Sequence, residues 1–413
     1  MSGVRTESIQ TKKFATTAIT DLVILRALLP GQCWLWVRLD SQWNTVTRTH
    51  EASRASFISQ ASPTMGVMTA STGSSVAAQS SAIPDNPLAD IYRLVAEDFD
   101  QVNTLIPQRL TSDVTMVEEI GQYIVESGGK RLRPMLVLLS SQAMGFKGDA
   151  HISLAAIIEF LHTATLLHDD VVDSSALRRG RATANDKWGN APSVLVGDFL
   201  YSRAFQLMVE LANLDVMAVL ARATNTIAEG EVMQLANIGN CDMSERDYRE
   251  VIRCKTALLF EAASHTGALI AAKESPTSGG DEAVSALQQY GLHFGMAYQL
   301  IDDWLDYAGD PAVMGKNVGD DLAEGKLTLP LIQALNTAQE DDRAFIREAI
   351  NARSCDSIGK ISDIVKTCGA LDYTRQAAVD EGQKAIVQLD ALADGPYRQA
   401  LRALTDYSLS RLN

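Results

Sequence analysis

From about Asp85 onward, apolar residues recur every three or four positions, the spacing that gathers them on one face of an α-helix. The separators between these runs are short and polar or contain Gly or Pro, and convincing alternation of the kind seen in half-buried strands is absent. We therefore predict that residues 85–413 form one all-α domain, a helical bundle. After a first segment, "NPLADIYRLVAEDFDQVNTLI", the predicted helices are residues 113–127, 133–144, 150–178, 191–212, 214–237, 244–272, 280–307, 326–338, 341–352, 355–369, 371–391 and 395–411.

The first 84 residues differ from the rest in composition and pattern. They are rich in Ser, Thr and Ala, lack a sustained helical period and end in "SPTMGVMTASTGSSVAAQSSAIP", a composition typical of linkers and disordered segments. A start that contains Ser and Arg but few acids also fits an organelle transit peptide, and Met65 and Met68 would allow translation to begin later. We expect residues 1–84 to be an N-terminal extension that takes no part in the chemistry.

Charge and cysteine content exclude several classes of protein. Residues 85–413 carry 29 Lys and Arg against 47 Asp and Glu, so a general nucleic-acid-binding surface is not expected. The five cysteines lack CxxC spacing, which favours reduced thiols in a cytosol-like compartment over a disulfide framework or a zinc site. The longest apolar candidate, residues 22–37, is interrupted by Arg26 and by Pro30-Gly31, so no transmembrane segment is expected.

Three aspartates stand at the end of a strongly apolar segment. "AAIIEFLHTATLL" is followed at once by "HDDVVD", which contains Asp169, Asp170 and Asp173. A solvated helix face is the usual explanation for acidic clusters, but the preceding residues are apolar nearly all round, as in a buried helix. Asp169 and Asp173 share a face, where like charges repel, so a buried cluster of this kind requires cations to neutralise it.

The same spacing returns 133 residues downstream. In "QLIDDWLD", Asp302, Asp303 and Asp306 again lie late in a long apolar helix. Two such helices facing each other across a bundle would bring six carboxylates to one cavity. Oxygen ligands of this charge suit Mg²⁺ before Ca²⁺, and Mg²⁺ usually bridges a few carboxylates to substrate phosphates. The paired motifs therefore predict a diphosphate substrate.

Basic residues that could bind such a substrate occur at several points. In "SGGKRLRPM", Gly128-Gly129 ends one helix and Pro134 suits the first turn of the next, which places a basic run at a helix N-terminus, where cations are disfavoured. An anion held there by side chains and free N–H groups would explain this, although a basic surface turn is the simpler alternative. For the lysines elsewhere, the alternative is an exposed side chain with an apolar stem. For Arg178 and Arg179, it is the favourable placement of basic residues at a helix end, with Gly180 as the C-cap. The candidates are Lys130, Arg131, Arg133, Arg178, Arg179, Lys255, Lys316 and Lys326, the last two beside Asp320 and Asp321.

These motifs together resemble the trans-polyprenyl diphosphate synthases, over about residues 85–413. "DDVVD" and "DDWLD" are similar to the two aspartate-rich motifs of that family, and "GGKRLRP", "RRG", "KTA", "YQLIDD" and "GKNVGDDLAEGKLTLP" follow its pattern in order. The resemblance implies an isoprenoid synthase-type helical bundle around a central cavity. It also implies Mg²⁺-dependent condensation of isopentenyl diphosphate onto an allylic diphosphate such as farnesyl diphosphate. The pattern is most like members that make the C40 side chain of ubiquinone or menaquinone, and a synthase of another product length, such as geranylgeranyl, heptaprenyl or solanesyl diphosphate, is the alternative.

The resemblance also implies individual roles. Asp169, Asp173 and Asp302 would hold three Mg²⁺ ions on the allylic diphosphate, supported by Asp170, Asp303 and Asp306. The same diphosphate would be gripped by Arg178, Lys255, Lys316 and Lys326. Isopentenyl diphosphate would be bound by Lys130, Arg133, His162 and Arg179. Thr256 and Gln299 would direct oxygen dipoles at the developing carbocation, and no protein general base is expected.

Product length is partly readable from the sequence. In short-product members of the family, a bulky aromatic residue five positions before the first aspartate closes the tunnel for the growing chain. Here that position is Ala164, between Thr163 and Thr165, so an open tunnel and a long product are expected. A close-packing contact between helices is the alternative explanation for this alanine.

Three other functions fit these motifs less well. A class I terpene cyclase shares one DDxxD motif but has a different second metal site. A non-catalytic subunit of a heteromeric synthase usually lacks part of the aspartate set. A metallophosphohydrolase reading of His168-Asp169 is not sustained by six histidines without a second His-Asp pair. We further expect a homodimer in the cytoplasm, or in a plastid or mitochondrion if residues 1–84 are a transit peptide, with product release towards a membrane.

Overall fold

The structure, a computed structural model, describes residues 24–28, 34–38, 87–274, 280–309 and 318–412. The chain divides into two compact units, Met1–Gln79 and Ser80–Asn413. In the first unit, strands β1 (Ile24–Leu28) and β2 (Trp34–Arg38) pair antiparallel, with Ile24 opposite Arg38. Sequence analysis did not predict this strand pair. The remainder of residues 1–84 lies outside the described residues.

The second unit is helical, which confirms the predicted all-α class. Its described strands are two residues long, β3 (Leu177–Arg178) and β4 (Arg181–Ala182), and they pair with each other. Its helices are α1 (Pro87–Leu94), α2 (Ala96–Arg109), α3 (Thr115–Glu126), α4 (Leu132–Ala143), α5 (Ala150–Val172), α6 (Ala184–Trp188), α7 (Asn190–Leu211), α8 (Leu214–Ala236), α9 (Glu245–Ile252), α10 (Leu258–Glu274), α11 (Gly280–Ala308), α12 (Asp320–Glu324), α13 (Leu329–Thr337), α14 (Glu340–Ala352), α15 (Ile358–Thr367), α16 (Ala370–Gln388) and α17 (Pro396–Ser410).

Two predicted boundaries change at the functional end of the bundle. The helix expected over residues 150–178 ends at Val172, because Asp173 caps it and Ser174 adopts a left-handed conformation with φ 53°. Arg179 and Gly180, with φ 52° and 73°, form the turn between β3 and β4. The prediction that Gly180 is a helix C-cap is therefore wrong.

The helix predicted over residues 244–272 is also divided. A single π-helical turn, Arg253–Ala257, separates α9 from α10 and contains Lys255 and Thr256. Such turns displace side chains from the regular helical faces and are frequent at functional sites. A Cβ atom added to Gly295 of α11 would lie 2.6 Å from the Cα atom of Ala257. Glycine is therefore needed there for α11 to pack closely against the π-helical turn.

The two aspartate-bearing helices are both core elements. Helix α5 packs mainly on α7 and α4, whereas α11 packs on α10 and α16. The first half of α11 belongs to one apolar cluster with α5, through residues such as Tyr290 and Phe294, and its second half belongs to another. Helix α11 thus joins the two parts of the core.

Helix α5 is long and apolar enough to cross a membrane by length and composition, which sequence analysis did not predict. However, 67% of its most apolar window is buried inside the protein. Burial by neighbouring helices identifies α5 as the core helix of a bundle.

Candidate active site

Both aspartate motifs lie at the C-terminal ends of their helices. Asp169 and Asp170 are in the last turn of α5 and Asp173 caps it, while Asp302, Asp303 and Asp306 occupy the last two turns of α11. A helix C-terminus carries partial negative charge, so carboxylates are disfavoured there. Each motif therefore needs positive groups or hydrogen-bond donors close by.

The first motif is matched by three cationic side chains. Arg178 donates from Nε and Nη2 to Oδ1 of Asp170, at 2.8 and 2.7 Å. Lys326 Nζ lies 2.9 Å from Asp173 Oδ2, and Lys255 Nζ lies 3.9 Å from Asp169 Oδ1.

Burial affects the ionisation of this motif. It raises the pKa of Asp169, which Lys255 partly opposes and Asp173 reinforces. Although burial alone would lower it, Asp173 and Glu324 raise the pKa of Lys326 above its usual range, so this lysine stays charged.

The second motif is matched differently, mainly by neutral donors. Asp303 accepts from the Tyr248 hydroxyl at Oδ2 and from Gln299 Nε2 at Oδ1, the latter at 2.7 Å. Asp306 accepts from the backbone N–H of Asp321 at 3.2 Å. Burial and the nearby Asp321 raise the pKa of Asp303 to about 7.

Asp302, in the second motif, pairs with an arginine. Its Oδ1 atom lies 3.0 Å from Nη2 of Arg411, which follows α17 near the C-terminus, and the Arg411 guanidinium also lies over the Tyr298 ring. Asp302 is therefore held by a residue more than a hundred positions away in the sequence.

One cavity of about 300 Å³ joins the two motifs to most of the predicted cationic residues. Asp169 and Asp302 line it from α5 and α11. Fewer carboxylates thus meet at one cavity than the six predicted, because Asp173 and Asp303 line adjoining cavities instead. The predicted site residues that line the shared cavity are Lys130, Arg133, His162, Asp169, Arg178, Arg179, Lys255, Thr256, Gln299 and Asp302.

The carboxylates suit a hard cation, but the arrangement does not present a finished metal cage. Among the described residues, no group of three His, Cys, Asp or Glu side chains could together hold a metal ion. The Oδ2 atom of Asp170 is buried without a hydrogen-bond partner in the described part of the chain. Carboxylate oxygens are the donors that Mg²⁺ prefers, so the donor set fits Mg²⁺.

A second group of cations lines another part of the cavity wall. Arg133 Nη1 lies 3.2 Å from His162 Nε2, and its guanidinium stacks 4.0 Å from the Phe260 ring centre. Arg179 crosses Gly129 so closely that a Cβ atom there would lie 2.4 Å from the guanidinium. Lys130 lies over the Tyr407 ring at 5.1 Å.

This wall holds positive charge that is incompletely neutralised. Burial lowers the pKa of Arg133 to about 10, and burial with the adjacent Arg178 lowers the pKa of Arg179. Burial, reinforced by Arg133 and Arg179, keeps the pKa of His162 well below 6.5, so its ring is neutral. Mutual repulsion of this kind favours the binding of an anion such as a diphosphate.

Several functional neighbours were not predicted from the sequence. Glu231 of α8 lines the cavity and lies 2.6 Å from Lys255 Nζ. Glu159 pairs with Arg131 at 3.6 Å, which gives that arginine a structural partner. Tyr248 and Arg411 bind the second aspartate motif, as described above. These residues lie in ordinary amphipathic segments, so nothing in the local pattern distinguishes them.

Of the other predicted residues, Lys326 lines an adjoining cavity, while Lys316 lies outside the described residues. Ala164 is 0% exposed, within the apolar cluster built around α5. Thr256 and Gln299 do meet as predicted, because the Thr256 hydroxyl donates to Gln299 Oε1 at 2.8 Å.

Comparison with known proteins agrees with this fold and site. The polyprenyl synthetase family profile matches residues 114–368. The octaprenyl diphosphate synthase of Escherichia coli is 48% identical over 327 residues, which cover 78% of this chain and 99% of the relative. An all-trans-nonaprenyl-diphosphate synthase (geranyl-diphosphate specific) of Rhodobacter capsulatus is 44% identical over 324 residues, covering 78% and 98%.

A solved structure shows the same fold. The polyprenyl synthase of Caulobacter crescentus, complexed with calcium and isoprenyl diphosphate, matches with a TM-score of 0.75 and 42% identity, covering 79% of this chain and 99% of that chain. This chain belongs to the polyprenyl synthetase family. It is accordingly a prenyltransferase, of a family whose substrates are isopentenyl diphosphate and an allylic diphosphate.

Proposed function

We propose that this enzyme is an all-trans-octaprenyl diphosphate synthase, which adds isopentenyl diphosphate units to farnesyl diphosphate until the chain reaches C40. The observation that carries this proposal is one cavity lined both by Asp169 and Asp302 and by Arg133 and Arg179. Its carboxylates suit a metal-bound diphosphate, and its arginines suit a second diphosphate. Similarity to the Escherichia coli octaprenyl diphosphate synthase and the small side chain of Ala164 support the C40 length.

Mg²⁺ is the metal we assign to this reaction. Asp169, Asp173 and Asp302 would hold three ions together with the substrate, and the Caulobacter crescentus relative was crystallised with calcium, another hard divalent cation. Bound there, Mg²⁺ would neutralise the allylic diphosphate and so make it a better leaving group. Asp170, Asp303 and Asp306 would support these ligands through the contacts described above.

The chain's own side chains supply binding and positioning. Lys255, Lys326 and Arg178 bring positive charge to the allylic diphosphate, and Lys316 belongs to the same set by the family pattern. The isopentenyl diphosphate is held by Lys130, Arg133, His162 and Arg179, which places its double bond beside the allylic carbon.

The carbocation formed on ionisation needs electrostatic help and protection from water. Thr256 and Gln299 line the cavity, where their oxygens would stabilise positive charge as it develops. Water must be excluded while the cation lasts, because it would otherwise convert the cation to an alcohol. The departing diphosphate takes the final proton, so no side chain is assigned as general base.

The biological setting follows from the product. We place the C40 chain in the side chain of ubiquinone or menaquinone, and the enzyme in the cytoplasm as a homodimer that releases product towards a membrane. The described cysteines Cys241, Cys254, Cys355 and Cys368 are free thiols, in keeping with a reducing compartment. Residues 1–84 have no assigned role in the reaction.

The decisive experiment incubates the full chain with Mg²⁺, farnesyl diphosphate and radiolabelled isopentenyl diphosphate and measures product length by chromatography. A product centred on C40 supports the proposal. A C45 product would instead make this chain a nonaprenyl diphosphate synthase, like the Rhodobacter capsulatus relative. A cyclised hydrocarbon, or no incorporation of label, would overturn a chain-elongating function. Light scattering of the same sample tests the homodimer.

A further inference from the structure

A continuous chain of hydrogen bonds runs behind the two predicted catalytic oxygens. The Tyr248 hydroxyl of α9 donates to Asp303 Oδ2 on α11, and Gln299 Nε2 donates to Asp303 Oδ1 at 2.7 Å. Thr256 Oγ1, in the π-helical turn, then donates to Gln299 Oε1 at 2.8 Å. Tyr248 and Asp303 are each only 2% exposed, so solvent competes little for these bonds.

The direction of each bond follows from the groups involved. The ionised carboxylate of Asp303 can only accept hydrogen bonds, so the two groups that face its oxygens, the Tyr248 hydroxyl and the Gln299 amide nitrogen, are the donors. With Oδ2 taken by Tyr248, Oδ1 of Asp303 accepts from the amide nitrogen of Gln299. The amide oxygen of Gln299 must then point the other way, where it accepts from Thr256.

Amide orientation matters for the reaction proposed above. Gln299 and Thr256 line the same cavity as Asp169 and Asp302. If the Gln299 amide were reversed, its N–H groups would replace the carbonyl oxygen beside the reacting carbon. The reversed amide dipole would then destabilise the carbocation. The observed orientation is useful because it is fixed before the reaction begins.

The same bonds separate the roles of neighbouring aspartates. Asp302 lines the shared cavity, while the two carboxylate oxygens of Asp303 are each engaged by a neutral donor. A metal ion that bound Asp303 directly would have to share its oxygens with the hydrogen bonds from Tyr248 and Gln299. Asp303 is thus better placed to orient Gln299 than to ligate metal.

We propose that Tyr248 is a positioning residue, which through Asp303 fixes the Gln299 amide with its oxygen towards the reacting carbon. This inference rests on the proposed function and deepens it. Tyr248 is assigned no contact with either substrate, since its hydroxyl donates to Asp303. The geometry makes its effect specific to turnover rather than to binding.

The test is Tyr248→Phe, which removes one hydroxyl and keeps the ring. Since a hydrogen bond to a charged group is lost, we expect kcat to fall about tenfold, with KM for both substrates and the Mg²⁺ concentration for half-maximal rate changed less than about twofold. Tyr290→Phe is the matched control, because Tyr290 is also buried but donates to the backbone carbonyl of Leu401 at 2.8 Å, away from the cavity. It should lose similar stability and keep the wild-type kcat.

A double-mutant cycle then asks whether Tyr248 acts through Gln299. In a Gln299→Met background, Tyr248→Phe should change kcat less than about twofold, because there is no amide left to orient. Asp303→Asn should lower kcat at least as much as Tyr248→Phe does, since one of the two donors at this position would then face an amide nitrogen.

Several results would overturn the proposal. Wild-type kcat in Tyr248→Phe, or the same tenfold loss in both backgrounds, would remove Tyr248 from the positioning of Gln299. In Tyr248→Phe, a raised Mg²⁺ requirement or a raised KM for the allylic substrate would show that Asp303 acts as a metal ligand instead. Failure of the proposed function itself would be distinct, because the wild-type chain would then elongate no substrate.

Discussion

Ala164→Phe tests how the fold sets product length. Ala164 precedes Asp169 by five residues, or about 7.5 Å along the axis of α5, while the helix continues about 20 Å further back to Ala150. A growing chain that starts at Asp169 and follows α5 would therefore meet a phenyl ring in the first quarter of that path. We expect the main product to shorten to about half of its wild-type length or less.

The same substitution distinguishes a tunnel from a packing contact. Ala164 is 0% exposed. If it faced only packed side chains, the larger ring would lower the free energy of unfolding by about 1–3 kcal/mol through overpacking. If it borders a tunnel, the ring has room, and stability should change by well under about 1 kcal/mol while product length falls.

The assay combines product analysis with urea unfolding on the same preparations. Ala164→Leu provides a graded control, and its product should be intermediate in length. An unchanged product spectrum with reduced stability would refute the tunnel and leave Ala164 as a contact between helices.

Three further predictions address charge in the site. Asp169→Ala or Asp302→Ala should fold normally, by circular dichroism, but lose on the order of 10²–10³ in kcat because a ligand for the charged substrate complex is gone; near-wild-type turnover would contradict the assignment. Glu231→Gln should bind the allylic diphosphate several-fold more tightly by calorimetry, because Lys255 no longer has a competing carboxylate at 2.6 Å; weaker binding would show that Glu231 holds the lysine in its productive position. Since the pKa of His162 is lower in the folded state, its contribution to stability is present above pH 6.5 and is lost as pH falls through the folded pKa; urea midpoints of His162→Gln should fall less between neutral and acidic pH, and an equal fall would refute this.

Much of the fold could be predicted because its signal is local. Helix α11, observed over Gly280–Ala308, was predicted over residues 280–307 from periodicity alone. The aspartates could also be recognised from the sequence, because acidic residues at the end of a strongly apolar helical segment are costly to bury and need a functional explanation. Helix α5 was predicted six residues too long, because the left-handed conformation of Ser174 that ends it has no strong sequence signal.

The part of the site that could not be predicted depends on distant pairings. Arg411 meets Asp302 across 109 positions and Tyr248 meets Asp303 across 55. Each residue is ordinary in its own segment: a basic residue after a helix, and a tyrosine on the buried face of α9. Only the tertiary arrangement that brings Tyr248 of α9 and Arg411, after α17, to the end of α11 gives these side chains a role, and no local pattern records that arrangement.

The pairings of the two motifs suggest why the aspartates do not unfold the ends of their helices. Repulsion between carboxylates and with the helix C-termini is relieved by protein groups, with Lys326 on Asp173 and Arg411 on Asp302. If Mg²⁺ bound these carboxylates as proposed, the Lys326 ammonium and the Arg411 guanidinium would be released from them and could pair with a diphosphate instead. Metal bound alone would leave positive charge on the metal and on the freed side chains without a partner, and diphosphate bound alone would be repelled by the carboxylates. Each ligand would therefore remove a repulsion that opposes the other. Binding of Mg²⁺ and of diphosphate should therefore be cooperative by the linkage between two ligands of one site, and calorimetric titration of each with and without the other would measure that coupling.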